Sequence, residues 1–269
     1  MPSSNGNPFA LITGASTGIG YQLARVFAEN GFDLFVTAEE ARLAKAVTEL
    51  KQLGVQVFSL QADLATYGGV EELWRAVRGI GRPLEAVAIN AGVGVGGKFI
   101  ETSLEDELNL IQLNVISSVH LAKRVIPEMA ARGSGRVLFT SSIAAVMPTP
   151  LETVYGASKA FLLSFARSLR HELKDTGVTV TALQPGPTDT EFFHRAGMDN
   201  TPVGSEGKKA NDPTEVAKQG FEALMSGKDH VYSSSMTTKI QGEMSAMIPE
   251  SVKANQHFKM SKPSTGTEG

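Results

Sequence analysis

Phe9-Ala-Leu-Ile-Thr13-Gly14-Ala15-Ser16-Thr17-Gly18-Ile19-Gly20 reads as a short apolar strand that runs into a glycine-rich turn and opens a helix. The helix continues through Leu23, Val26 and Phe27, apolar at spacings of three and four, and stops at Asn30-Gly31, a pair suited to a C-terminal cap. Glycines at such a turn let the backbone approach a pyrophosphate closely, and the helix N-terminus offers unpaired N–H groups to the anion. A glycine pattern by itself is usually only a turn. The strand before it and the helix after it supply the context that a dinucleotide-binding reading requires.

Outward from this stretch, apolar runs alternate with helical patterns. Strands are expected near 33–37, 56–60, 84–89, 136–140, 178–183 and 230–232. Helices are expected near 39–53, 69–79, 103–132, 153–175 and 212–226, the last opened by Asp212-Pro213-Thr214-Glu215 as cap, first-turn proline and capping-box acid. With the first strand this makes seven, each beside a helix, which predicts an α/β fold whose parallel sheet is covered on both faces. At 269 residues the chain suits one domain over 1–269. The tail from about 234 is an extension in which Ile240, Met244, Met247 and Ile248 keep a helical spacing and are expected to pack on the core. Its polar end, Ser261 to Gly269, is expected to be disordered.

Composition narrows the function classes. The net charge is −3 with both signs spread along the chain, so neither nucleic acid nor an anionic membrane is expected as partner. There is no cysteine, which excludes disulfides, thiolate metal sites and thiol catalysis. The start, Met1-Pro-Ser-Ser-Asn-Gly-Asn7, lacks the basic and apolar regions of a signal peptide, and no apolar run approaches the roughly 18 residues of a membrane span. Cytoplasmic residence is the expectation.

Ser142 lies thirteen residues before Tyr155, and Lys159 follows four residues after it. Positions i and i+4 are neighbours on one helix face, so a phenol and an ammonium stand together there. The cation would favour phenolate and let the tyrosine serve as a general acid/base nearer neutral pH. Ser142 would hold a substrate oxygen beside the phenol. A Tyr and a Lys at this spacing occur together by accident often enough; the glycine turn near the N-terminus gives the pair its meaning.

With both motifs in place the chain resembles the short-chain dehydrogenase/reductase family in its single-domain form, from Phe9 to about Tyr232. The landmarks stand in order: the glycine turn, Asp63-Leu64, Asn90-Ala91-Gly92, Asn114, Ser142, Tyr155 with Lys159, and Pro185-Gly186-Pro187-Thr188-Asp189-Thr190. Ile89 stands where the family commonly has a first asparagine, a local departure. The resemblance implies a doubly wound Rossmann-type sheet of about seven parallel strands and hydride transfer between a nicotinamide and a carbonyl or alcohol carbon. It implies that Ser142 polarises the carbonyl, Tyr155 passes the proton, Lys159 holds the ribose and depresses the phenol pKa, and Asn114 keeps a relay water. No metal is needed. It puts the cofactor along Gly14, Ser16, Thr17, Gly18, Ile19 and Gly20, with Asp63 and Leu64 at the adenine, Asn90, Ala91 and Gly92 beside the cofactor, and Pro185, Gly186, Thr188 and Thr190 near the nicotinamide.

Cofactor preference turns on Glu39, which follows the second strand where the family has either a ribose-binding acid or a phosphate-binding base. Thr17 also stands where phosphate-preferring relatives often have a base. NAD is therefore favoured over NADP. The alternative is that Glu39 only occupies the first turn of the next helix and Arg42 binds a phosphate. Val93, Val95, Met147, Leu151, Phe192 and Phe193 flank the motifs and should border, with Ser142, a largely apolar pocket, so ketones or secondary alcohols with an apolar body are expected. The stretch from Thr190 to Asn211 has the composition of a mobile lid. Leu110, Leu113, Phe161, Leu162, Phe165 and Leu169 give two helices more than one apolar face, which points to a homodimer or homotetramer. A non-catalytic dinucleotide sensor or scaffold is the rival class, and its mark would be a lost Tyr or Lys. A sugar-nucleotide epimerase or dehydratase would need a larger C-terminal substrate domain.

Overall fold

The computed structural model describes residues 6–204, 211–233 and 248–263. Seven strands, β1 (Phe9–Thr13), β2 (Asp33–Ala38), β3 (Val57–Gln61), β4 (Ala86–Ile89), β5 (Gly135–Thr140), β6 (Val178–Pro185) and β7 (His230–Ser233), form one sheet in the order β3-β2-β1-β4-β5-β6-β7. Every neighbouring pair is parallel. The strands lie within two residues of the apolar runs that marked them. Central β1 and β2 are buried along their whole length because both faces are covered, while the edge strand β3 alternates. This is the doubly wound α/β fold that the sequence predicts, with its topological switch point between β1 and β4.

Helices cover both faces. On one, α1 (Gly18–Glu29), α2 (Leu43–Lys51) and α8 (Pro213–Met225) bury Leu23, Phe27, Leu50, Val216 and Phe221. Phe27 meets Phe32 and Phe221 edge-on at 5.0 and 4.9 Å, a geometry that suits the ring quadrupoles. On the other, α3 (Tyr67–Gly79), α5 (Ser117–Arg132) and α6 (Thr153–Glu172) bury Leu73, Leu121, Val125, Leu162 and Ala166. The ends read from sequence hold: α1 closes at Asn30 with Gly31 at φ 78°, and Asp212 caps α8, accepting from Thr214 N at 2.8 Å.

Two helices differ from expectation. The one expected over 103–132 is α4 (Leu104–Ile111) and α5 joined by a π-helical turn, Gln112–Ile116. The wider turn coincides with Asn114, whose side chain is bonded outside the helix. α2 begins at Leu43 rather than near 39, because Glu39 and Glu40 stay in a bend held by Gln61 Nε2 on the Glu39 carbonyl (2.8 Å) and Ser16 Oγ on the Glu40 carboxylate (3.2 Å). Glu39 therefore does not sit in the first turn of a helix.

Above the carboxyl ends of the strands, the short α7 (Phe192–Arg195) and its surroundings form a third apolar cluster of Phe193, Ala196, Met198 and Val203. Phe192 and Met260 of α9 (Glu250–Ser261) pack against it. The spacing of Ile240, Met244 and Met247 lies outside the described residues, as does the polar end from 264, whereas Ser261, expected to open a disordered end, closes α9 and is buried. No helix among the described residues is long and apolar enough to cross a membrane.

Candidate functional site

A cleft opens at the switch point, and the glycine turn is its floor. Gly14 and Gly18 take φ values of 69° and 58°, and a Cβ on Gly20 would overlap the Gly14 carbonyl. Only glycine lets α1 pack onto the end of β1 there. Thr13 Oγ1 accepts from the N–H groups of Asn90 (2.9 Å) and Ala91 (3.0 Å). The Asn90 side chain donates to the Thr13 carbonyl (3.1 Å) and accepts from Thr140 Oγ1 (3.0 Å), so one amide ties β1, β4 and β5 together beside the opening.

All of Gly14, Ser16, Thr17, Gly18, Ile19, Gly20, Glu39, Asp63, Leu64, Asn90, Ala91, Gly92, Pro185, Gly186, Thr188 and Thr190 line this one cleft, with Ser142, Tyr155 and Lys159. Asp63 has two duties: its carboxylate accepts from Ala65 N at 2.8 Å while it borders the cleft. Thr188 Oγ1 donates to the Gly186 carbonyl (2.8 Å), which fixes the turn after β6.

At the other end of the cleft Ser142 and Lys159 are buried and Tyr155 is half-buried. Ser142 accepts from Ala144 N at 3.1 Å and hydrogen-bonds the Tyr155 phenol. Burial pushes the Tyr155 phenol well above its ordinary value, the Ser142 hydrogen bond opposes this, and the Glu152 carboxylate adds to it. Burial also lowers the Lys159 ammonium from 10.5 to about 8. Its Nζ donates to the Thr140 carbonyl at 3.0 Å and stands 5.6 Å from the Tyr155 ring centre. The lowering of the phenol expected from Lys159 is not the direction of this shift, which burial sets.

Asn114 is fully buried behind the cleft. Its carbonyl accepts from Val93 N (2.9 Å), and its amide donates to the Val93 carbonyl (2.9 Å) and to Ser158 Oγ (3.0 Å). Ser158 in turn donates to the Tyr155 carbonyl at 2.7 Å. A Cβ on Gly92 would lie 3.0 Å from Asn114 Oδ1 and 3.3 Å from Lys159 Nζ, so the missing side chain keeps a space where amide and ammonium converge.

Of the pocket residues expected from sequence, Val93, Met147, Phe192 and Phe193 line the cleft, and Phe192 lies 5.1 Å from the Tyr155 ring. Val95 and Leu151 are not among its lining residues. The Phe192 ring sits against Gly94, and Met198 with the Ala196 carbonyl sits against Gly96, so the lid covers this segment. Leu151 is buried at φ 73° with its carbonyl accepting from Gly97 N (2.8 Å), and so serves the turn into α6. Sequence reading missed Ser158, Glu152, Arg195 and the face of α9 that presents Lys253, Gln256, His257 and Met260 to the cleft. Ser158 lies three residues after Tyr155 and was legible as a helix neighbour; the others have no spacing that announces them. Arg195 reaches from the lid to Glu40 (2.9 Å) and Thr17 Oγ1 (3.2 Å).

A glycine turn at the switch point of a parallel sheet, with Ser142, Tyr155 and Lys159 lining the same cleft, defines a dinucleotide-binding α/β protein. The family model described as short chain dehydrogenase matches residues 8–201. The chain belongs to that family of NAD(P)-dependent oxidoreductases. It is 31% identical over 256 residues to oxidoreductase UcpA of Salmonella typhimurium, covering 90% of this chain and 95% of that one. Among solved structures it is similar to a short-chain dehydrogenase from Sphingobium yanoikuyae in complex with NADPH (31% identity, TM-score 0.78, 84% and 87% covered). It is also similar to L-sorbose reductase from Gluconobacter frateurii complexed with NADPH and L-sorbose (26%, 0.74, 86% and 97%).

Buried Lys159 has a stability consequence. Its folded pKa of about 8 lies below its ordinary 10.5, so the unfolded chain binds more protons in that window and stability rises with pH through it. Holding the cation costs on the order of 3 kcal/mol at neutral pH. Urea melts should find Lys159→Met more stable than the parent at pH 7, with the gap closing toward pH 10; a variant less stable at pH 7 contradicts this.

Proposed function

We propose that this protein transfers a hydride between a nicotinamide dinucleotide and a ketone or secondary alcohol with an apolar body, with Tyr155 as the general acid/base. The observation that carries the reading is the convergence of Ser142, Tyr155 and Lys159 in the cleft whose floor is the glycine turn. The residues fit such a cofactor. Gly14 and Gly18 hold the turn at φ 69° and 58°, backbone that side chains disfavour, and the turn leads directly into the N-terminus of α1, whose first N–H groups have no helical partner.

When bound, the nicotinamide supplies or accepts the hydride. Ser142 holds the substrate oxygen against the phenol. Tyr155 donates its proton to that oxygen during reduction and recovers it during oxidation. Lys159 holds the ribose hydroxyls, and its ammonium is positioned to stabilise phenolate once the proton leaves. Asn114 keeps the relay water beside Lys159, in the space that Gly92 leaves open. Val93, Met147, Phe192 and Phe193 give the apolar walls that exclude water and seat the substrate body. Retention of all three reactive groups in one cleft disfavours a sensor without turnover.

NAD is favoured over NADP in this reading, because Glu39 follows β2 at the cleft and Glu40 adds a second carboxylate there. A carboxylate about 5 Å from a phosphate costs roughly 3 kcal/mol at an effective dielectric of 20. The NADPH named with two similar structures is the reason to test this directly, and the cations beside Glu40 are Arg42, 3.8 Å from it and 3.7 Å from Glu191, and Arg195, 2.9 Å from it and lining the cleft. The assembly proposed is a homodimer or homotetramer. Leu110 and Leu162 face the core, whereas Leu104, Leu108, Ile116 and Phe161 are exposed on α4, the π turn and α6, and these are the apolar side chains a second copy would cover.

Tyr155→Phe should bind cofactor nearly as the parent does and lose about 10²–10⁴ in turnover. A panel of carbonyl compounds followed by nicotinamide absorbance measures this, and a preference for dicarboxylates or phosphosugars on it rejects the apolar substrate. Efficiency should be higher with NAD than with NADP; the reverse order, abolished in Arg42→Ala, would make Arg42 the discriminating residue. Light scattering at micromolar concentration should give a dimer or tetramer mass, and a monomer refutes the apolar interface.

A further inference from the structure

Arg195 closes the short helix α7, and its guanidinium reaches down to the turn that floors the cleft. One nitrogen, Nη2, stands 2.9 Å from a Glu40 carboxylate oxygen and 3.2 Å from Thr17 Oγ1. The other Glu40 oxygen accepts from Ser16 Oγ at 3.2 Å. Thr17 occupies the N-cap of α1, yet its hydroxyl makes no capping bond and accepts from Arg195 instead. The segment that carries α7 is seated on the same turn, since a Cβ on Gly18 would lie 3.1 Å from the Thr190 methyl.

A doubly wound sheet reads the adenosine ribose just after its second strand, with an acid for a free 2′-hydroxyl or an arginine for a 2′-phosphate. Glu39 and Glu40 hold that place at the cleft, and two arginines stand beside Glu40. They are not equivalent. Arg42 is not among the residues that line the cleft, and its side chain is 57% exposed, where ion pairs are screened. Arg195 lines the cleft, is 36% exposed, and touches both segments that frame the ribose: the glycine turn through Thr17 and the loop after β2 through Glu40.

We propose that Arg195 is the cofactor-discriminating cation of this site and that Glu40 masks it. The guanidinium is engaged by the carboxylate, which leaves a 2′-hydroxyl acceptable and a 2′-phosphate without a partner. This rests on the cleft taking a nicotinamide dinucleotide, and it assigns the preference for NAD to an ion pair contributed in part by α7 rather than to the Glu39 carboxylate alone. A planar guanidinium is the side chain best suited to grip a phosphate. To take the Nη2 donor that Glu40 and Thr17 now share, however, the phosphate must displace a carboxylate of its own sign. Removing that carboxylate turns a site arranged against the phosphate into one that holds a cation for it.

Titrating the full chain with NADH and NADPH, followed by nicotinamide fluorescence, tests this apart from turnover. The parent should bind NADH about tenfold or more tightly than NADPH. Glu40→Gln should tighten NADPH while leaving NADH within about threefold, and that tightening should be about tenfold greater with Arg195 in place than in an Arg195→Met background. Charges that merely add would give equal gains in the two backgrounds, so the difference reads the unmasked guanidinium. The gain should survive in Glu40→Gln/Arg42→Ala. Equal gains with and without Arg195, a gain lost with Arg42, or a parent that binds NADPH more tightly would each overturn the proposal. So would an Arg195→Met variant that weakens NADH as much as NADPH, because the guanidinium would then serve the diphosphate common to both. Should Arg195→Met fail to fold, Arg195→Gln carries the same requirement. A parent that binds neither dinucleotide would instead remove the functional reading underneath.

Discussion

The cleft depends on how the sheet is held where it divides. β1 and β4 pair from Ala10 with Ala86 to Ile12 with Ala88, and beyond that point the two chains turn apart. Backbone groups at such a fork lose their ladder partners, and buried polar groups left unpaired are costly. Thr13 and Asn90 supply the missing partners: one hydroxyl accepts from two N–H groups, and one amide joins three strand ends. The cleft is therefore braced by side chains and can open without losing hydrogen bonds. The glycine turn starts from the same Thr13 and Lys159 is anchored to the carbonyl of Thr140, so the turn and the end of the cleft that holds Ser142, Tyr155 and Lys159 share one brace.

The parts legible in sequence are those whose signal is local. A central strand buried on both faces must be apolar throughout, which is why Phe9–Thr13 and Asp33–Ala38 declared themselves. The glycine turn, and Tyr155 with Lys159, are likewise fixed by short spacings. What escaped reading depends on distant partners. The π turn follows from Asn114 being bonded to Val93 and Ser158, contacts 21 and 44 positions away. Leu151 was read as pocket lining because it is apolar and near the motif, yet its backbone φ of 73° commits it to a turn. The apolar residues Leu110 and Phe161 look alike on a helical pattern, and only the packed structure separates the core-facing one from the exposed one.

The C-terminal helix is the clearest case of a functional wall without a sequence signature. Helices are usually recognised, and docked, through an apolar stripe. The inner face of α9 carries Lys253, Gln256 and His257 with a single methionine, while Val252 and Phe258 are exposed, so the pattern reads as poorly amphipathic. Its attachment rests on polar contacts to Val146 and Glu152, each worth about 1 kcal/mol net, together with Met260 against the lid cluster.

Polar docking has a consequence that apolar docking lacks. Lys159, Glu152, Lys253 and His257 are all withdrawn from water at one end of the molecule, where each charge is felt by the others more strongly than it would be in solvent. Burying them costs stability that an apolar core of the same shape would not. Moreover, the opposite end of the cleft has its own strap, Arg195 between Glu40 and Thr17, carried by the segment around α7 whose cluster receives Met260. That segment and α9 are thus packed to each other and held by polar contacts to the two ends of the cleft, one to the loop after β2 and one to Glu152 at the start of α6. Loss of a contact at either end therefore loosens one connected cover rather than a single bond.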